Sequence, residues 1–233
     1  MNGKGSRSEL ARRLFLTRLG AGVGVVGAAA VSAPASHAQS SEVAAWKPTR
    51  HALDDWMDKL PGQHRFVFDT ITAEGLAQTL QFANNFFEAN KTGYELQDSD
   101  LAVIVICRHK STAFAYKDSI WAKYSAQLSN QTGFVDPKTK EAPVINVYGT
   151  PGNGSDQQAG RLNNLIKRGV HLAVCQMATR GIAGQIARAT NQTQDAVLNE
   201  LISNLLDNAH MAPAGIVAVN RAQERGYAFA HGG

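Results

Sequence analysis

Cysteine is scarce: two in 233 residues. That excludes a multi-disulfide scaffold and a four-cysteine zinc site. Charged residues are few at 18%, and hydrophobic residues make up 44%, a globular balance rather than a disordered one. No apolar stretch reaches the roughly 20 residues that span a bilayer; Leu19 to Ala33, about 15 residues, falls short. An HExxH pair, Cys–His zinc spacing, a Walker loop and a G-x-S-x-G elbow are all missing, so no metal and no cofactor are expected. The glycine-bearing stretch Gly149 to Gly154 lacks the Lys-Ser/Thr of a phosphate loop and reads as a turn. Basic charge is also missing where a nucleic acid would need it. The formal net charge of +4 arises in the first 38 residues, where Lys4, Arg7, Arg12, Arg13 and Arg18 face one acid, Glu9. Taking 5 bases from 23 and 1 acid from 19 leaves 18 of each. A neutral remainder argues against a nucleic-acid or anionic-membrane partner.

What is present begins with an address. Arg12-Arg13 is followed by Leu14-Phe15-Leu16, then by the mildly apolar Leu19–Ala33. Ser36-His37-Ala38 places small residues at the −3 and −1 positions of a cleavage site. This order is that of a bacterial twin-arginine signal peptide over residues 1–38. It predicts a mature chain starting near Gln39, exported folded to the periplasm, with no stable membrane insertion after cleavage.

Residues 39–63 read as an N-terminal extension with a short helix from His51 to Lys59. Its residues Leu53, Trp56, Met57 and Leu60 share one face and should pack on the domain. Residues 64–233 alternate strands and helices. Arg65–Asp69, Leu101–Ile106, Val170–Val174, Gly215–Val219 and Tyr227–Ala230 read as strands. Helices are expected over Ala73–Asn90, Thr112–Leu128, Ser155–Arg168, 180–189, 194–207 and 220–225. Residues 129–155 form a long loop or insertion, with Val144–Val147 as a short strand within it. The uninterrupted apolar run Leu101–Ile106 fits a strand covered on both faces. The pattern predicts a single α/β domain, a mostly parallel sheet with helices on both faces.

In open α/β sheets ligands collect beyond the carboxyl ends of the strands. Three such ends carry polar or reactive groups: Asp69-Thr70, Cys107-Arg108-His109, and Cys175 through Gly181. Cys175 is the most informative, because it ends a strand shortly before a helix whose N-cap is read as Thr179. A helix N-terminus favours a thiolate, and Arg180 or Arg108 adds positive charge. Such a thiolate can carry a persulfide or attack a disulfide; the alternative is an inert buried cysteine. Arg108 and His109 can bind an anion or move a proton. Cys107 reads as a small hydrophobe at a buried strand end. A Cys107–Cys175 disulfide is disfavoured, since bridged Cα atoms lie within about 7 Å and strands with another between them are roughly 10 Å apart. The aromatics Phe86, Phe87, Phe114, Tyr116, Trp121 and Tyr124 exceed what two helices bury internally, which predicts an interface.

Three segments together resemble the DsrE/DsrF-like (YchN-like) family. They are Val103–Tyr124 with Cys107-Arg108-His109, Gly169–Cys175, and Ala212-Pro213-Ala214-Gly215-Ile216-Val217 followed by Gln223-Glu224-Arg225-Gly226-Tyr227-Ala228. The resemblance covers roughly residues 64–230. It implies a small α/β fold and homo-oligomers, trimers or hexamers. It also implies a sulfurtransferase-like role in which Cys175 holds a persulfide, with sulfur donor and acceptor proteins or small sulfur compounds as partners. Arg108, His109, Thr179 and Arg180 are the expected substrate-binding residues. The competing expectation is an oligomeric small-molecule or anion-binding protein with no turnover.

Overall fold

The computed structural model describes residues 47–150 and 161–232. The predicted signal peptide, Trp46 and the predicted helix start at Ser155 lie outside the described residues.

In chain order the elements are α1 (Asp55–Asp58), β1 (His64–Thr70), α2 (Ala73–Tyr94), β2 (Leu101–Cys107), α3 (Asp118–Thr132), α4 (Arg161–Lys167), β3 (His171–Cys175), α5 (Gln176–Thr190), α6 (Gln194–Ser203), β4 (Ala209–Ala212), α7 (Gly215–Gln223) and β5 (Ala228–His231). A 3₁₀ turn, His109–Ala115, links β2 to α3. Local sequence explains the clearest of them. Thr72 caps α2 by accepting the Gly75 N–H at 2.9 Å. From there Leu76, Leu80, Ala83 and Phe87 recur at helical spacing and are buried. All seven residues of β2 are buried, as its unbroken apolar run predicts.

The sheet has the order β4-β3-β2-β1-β5, and every neighbouring pair is parallel. The chain steps from β1 to β4 in one direction. It then returns through α7 to lay β5 on the far edge. Strand residues alternate between two apolar layers. Phe68, Val103, Val105, Cys107, Leu172 and Val174 join the residues of α2 to α6 in one. Val67, Ile104, Ile106, Ala173 and Ala212 meet α7, Met57 and Leu60 in the other. Helices thus cover both faces, in agreement with the α/β expectation.

Several local expectations are corrected. Gly215–Val219 is the start of a helix, not a strand, and the strand of that region is Ala209–Ala212. A short apolar run fits either state, and here Ala218, Val219 and Ala222 lie on one buried helical face. Val144–Val147 forms no strand. Instead Asn146 is buried, and its amide donates to the carbonyls of Phe114 (2.7 Å) and Tyr116 (2.9 Å), which seats Val147 and Tyr148 in the core. The aromatic expectation also fails: Phe87, Phe114, Tyr116, Trp121 and Tyr124 are each at most 1% exposed within the single chain, and Phe86 is partly buried. They form core, not an interface.

The N-terminal segment packs on the α7 face as expected, although Leu53 is 70% exposed and takes no part. Tyr227 donates its hydroxyl to the Met57 carbonyl at 2.8 Å, and Arg65 reaches the carbonyls of Met57 and Leu60. Trp56 stacks on His210 with centroids 4.0 Å apart and planes 7° apart. His210 Nε2 lies 2.9 Å from His171 Nδ1. Burial holds both imidazoles below the usual histidine range, His210 at about 4 with the neighbouring His171 as a second cause.

Candidate functional site

The carboxyl ends of β3 and β4 mark a switch in topology. β3 leads into α5 on one face of the sheet, and β4 leads into α7 on the other. Connections that diverge in this way open a crevice where α/β proteins bind ligands. Cys175 ends β3 there, opposite Ala212. It is itself the N-cap of the 15-residue α5: its Sγ accepts the Ala178 N–H at 3.4 Å. The expected cap, Thr179, lies one turn too late. Cys175 is buried, 7% exposed, whereas Met177 and Ile216, the second residues of α5 and α7, are 69% and 61% exposed.

The β2–β3 register pairs Cys107 with Val174, so the next pair along the strands is Arg108 with Cys175. By the alternation of the two layers, Cys175, Arg108, Asp69 and His231 all fall on the α7 face. Asp69 is 2% exposed and takes a two-pronged salt bridge from Arg108, Nε to Oδ1 and Nη2 to Oδ2, both at 2.7 Å. His231 Nδ1 lies 3.0 Å from the same Oδ2. The bond to Asp69 raises the Arg108 pKa above its ordinary value, with the nearby Cys175 a further cause. The Arg108 stem rests on α7, where a Cβ at Gly215 would lie 2.5 Å from the Arg108 Cβ and 2.7 Å from its Cδ. Only glycine fits under that arginine.

Cys107 is separated from this row by one residue of register and faces the opposite layer. Burial, with the Asp69 charge as a second cause, pushes its thiol up to about 12. β2 and β3 are adjacent, not separated by a strand, and both cysteines are free. Their side chains point to opposite faces, and that is what keeps them apart.

The other predicted site residues are distributed differently. Thr179 is fully buried and donates to the Cys175 carbonyl at 3.0 Å while accepting from the Tyr116 hydroxyl at 3.1 Å. It braces the start of α5 from inside. Burial raises the Tyr116 pKa. His109 is exposed, in the left-handed region at φ 56°, as the first residue of the 3₁₀ turn. Arg180 is exposed farther along α5, its carbonyl accepting from the Gln194 side chain. The cation brought to Cys175 is therefore Arg108. His231 lies one residue past the expected strand end at Ala230, where the period-2 alternation from Phe229 is the signal for it, and Asp69 has no expected partner in the sequence.

Cys175 and His231 end strands separated by β2 and β1. At nearly 5 Å per strand step, roughly 14 Å in all, they form no Cys–His pair. Among the described residues no group of three or more His, Cys, Asp or Glu could hold a metal ion, and no helix is long and apolar enough to cross a membrane.

The class defined here is an α/β domain with a five-stranded all-parallel sheet. Compared with known proteins, the chain matches no family model and no curated protein. A similar solved structure is that of MTH1491, a protein of unknown function from Methanobacterium thermoautotrophicum. It is 14% identical, with 72% of this chain and 99% of that chain covered at a TM-score of 0.37.

Proposed function

We propose that this chain is an exported, periplasmic DsrE-like sulfur carrier that holds a persulfide on Cys175 and works as a homo-oligomer. The observation that carries the reading is the position of Cys175: a helix N-cap thiol at the topological switch point, with a backbone N–H directed at its sulfur and Arg108 beside it. A helix N-terminus and a cation both favour a thiolate over a thiol, and favour a persulfide anion for the same reason. In the loading step the Cys175 thiolate attacks the outer sulfur of thiosulfate. A new S–S bond forms, the bond to the SO₃ group breaks, and sulfite leaves with its electron pair. An acceptor thiolate then attacks the outer persulfide sulfur and returns Cys175 as thiolate.

Intact mass spectrometry of the mature protein after incubation with thiosulfate or polysulfide tests this. Gain of one sulfur atom is expected in the wild type and in Cys107→Ser, and not in Cys175→Ser. A wild type that gains no sulfur from either donor ends the carrier reading.

A further inference from the structure

We propose that Arg108 and His231, joined through Asp69, form a binding site for a small divalent oxyanion of the sulfate or phosphate type, and that His231 makes its affinity pH-dependent. The site shares Arg108 with the carrier reading but does not use the Cys175 thiol, and Cys175→Ser separates the two.

An arginine side chain has five N–H donors. Asp69 engages one on Nε and one on Nη2. The remaining three have no partner among the described residues, and the side chain is 27% exposed. The bidentate clamp and the Gly215 contact fix the plane of the guanidinium, so those donors are held in place before a ligand arrives. His231 is fixed by the same carboxylate oxygen through Nδ1. Its side chain is 41% exposed, and Nε2 is on the side of the ring away from Asp69.

The Asp69 and Arg108 charges cancel, so with Cys175 as a neutral thiol the net charge of the cluster is that of His231, and a Cys175 thiolate beside Arg108 lowers it by one, which the Cys175→Ser variant removes. With a neutral imidazole the cluster has donors but no net attraction for an anion. With an imidazolium it carries one positive charge. The groups around His231 are few. Asp69 comes from β1, and Arg108 follows β2. The first turn of α7 carries no acid. Gly232 packs against the Gly75 carbonyl of α2, and the adjacent Glu74 is exposed. Histidine is the side chain that gains a positive charge in mildly acid solution.

Sulfate is the right probe, because its own charge stays constant between pH 5.5 and 8. The mature protein is titrated with sulfate at both values at matched ionic strength in sodium chloride, followed by calorimetry and by the His231 ring resonances. Saturable binding about tenfold tighter at pH 5.5 than at pH 8 is expected, a size set by one added charge close to the anion in a partly screened site. His231→Gln keeps a polar side chain and should abolish most of that difference. Cys175→Ser should keep it, which separates this site from the carrier chemistry. No saturable binding beyond that of chloride at pH 5.5, or an unchanged pH difference in His231→Gln, would overturn the proposal.

Discussion

The two cysteines end neighbouring parallel strands and are nearly level in the sheet, yet they occupy opposite chemical settings. Cys107 lies on the crowded face, under the layer built by α2 to α6, beside the buried Tyr116. Its side chain packs among apolar groups, and burial, with the Asp69 charge as a second cause, suppresses its ionisation. Cys175 lies on the face covered by α7 and the short N-terminal segment, in a row with Arg108, Asp69 and His231. One residue of register decides which layer a side chain joins. The route of the chain decides the rest. Most of its helices fall on one face, which leaves the other with room for charge at its rim.

The largest expected effect tests whether that charged row is a built part of the structure. Arg108→Ala leaves the Asp69 carboxylate buried and without its guanidinium, and should cost about 3–5 kcal/mol in chemical denaturation. Cys107→Ser puts a hydroxyl into the apolar layer and should cost about 1–3 kcal/mol. Equal losses in the two variants would mean that the rim is no more constrained than the core. Alkylation compares the thiols directly. In the folded protein Cys175 should react with iodoacetamide about a hundredfold faster than Cys107, since the thiolate is the reactive form and burial withholds it from Cys107. Peptide mapping over time measures both rates, and similar rates would erase the distinction between the faces. The smallest effect concerns two glycines. Gly215→Ala forces a methyl into the Arg108 stem and should cost about 1–3 kcal/mol. Gly181→Ala, on α5 with nothing within 4 Å of the new Cβ, should instead stabilise by about 0.5–1 kcal/mol. A stabilised Gly215→Ala would show that Arg108 does not rest on α7.

The fold was legible wherever hydrophobic pattern and length agreed. The run Leu101–Ile106, with four successive β-branched residues and no polar break, favoured a doubly covered strand, and the long spacing from Leu76 to Phe87 could only be a helix. Reading failed where five or six apolar residues satisfied both periods, as in Gly215–Val219, and where a strand was short and mixed, as in Ala209–Ala212 with His210 inside it. Cys175 was legible because a reactive side chain ended an apolar run before a helix. Its cap role was not, because a sulfur is an unusual acceptor at that position and Thr179 is a conventional one. The Asp69–Arg108–His231 cluster depends on strand order, which places β5 beside β1. No local pattern contains that information, and Arg180 was as good a candidate cation as Arg108 until the strands were laid side by side.

That strand order also governs when the protein can finish folding. β1 is flanked by β2, which follows soon after it, and by β5, which lies at the other end of the described chain. The Asp69–His231 contact spans 162 residues. While the chain is being synthesised, β1 therefore carries an open edge, with Phe66, Val67 and Phe68 beside unpaired backbone groups, until nearly every later element has emerged. Contacts that close such long loops form slowly, and an open apolar strand edge invites pairing with another chain. A chain cut short before Phe229 would keep that edge permanently and would leave Arg108 and Asp69 without their imidazole. Completion of this sheet and completion of the charged row are thus one event, set by the arrival of β5 beside β1.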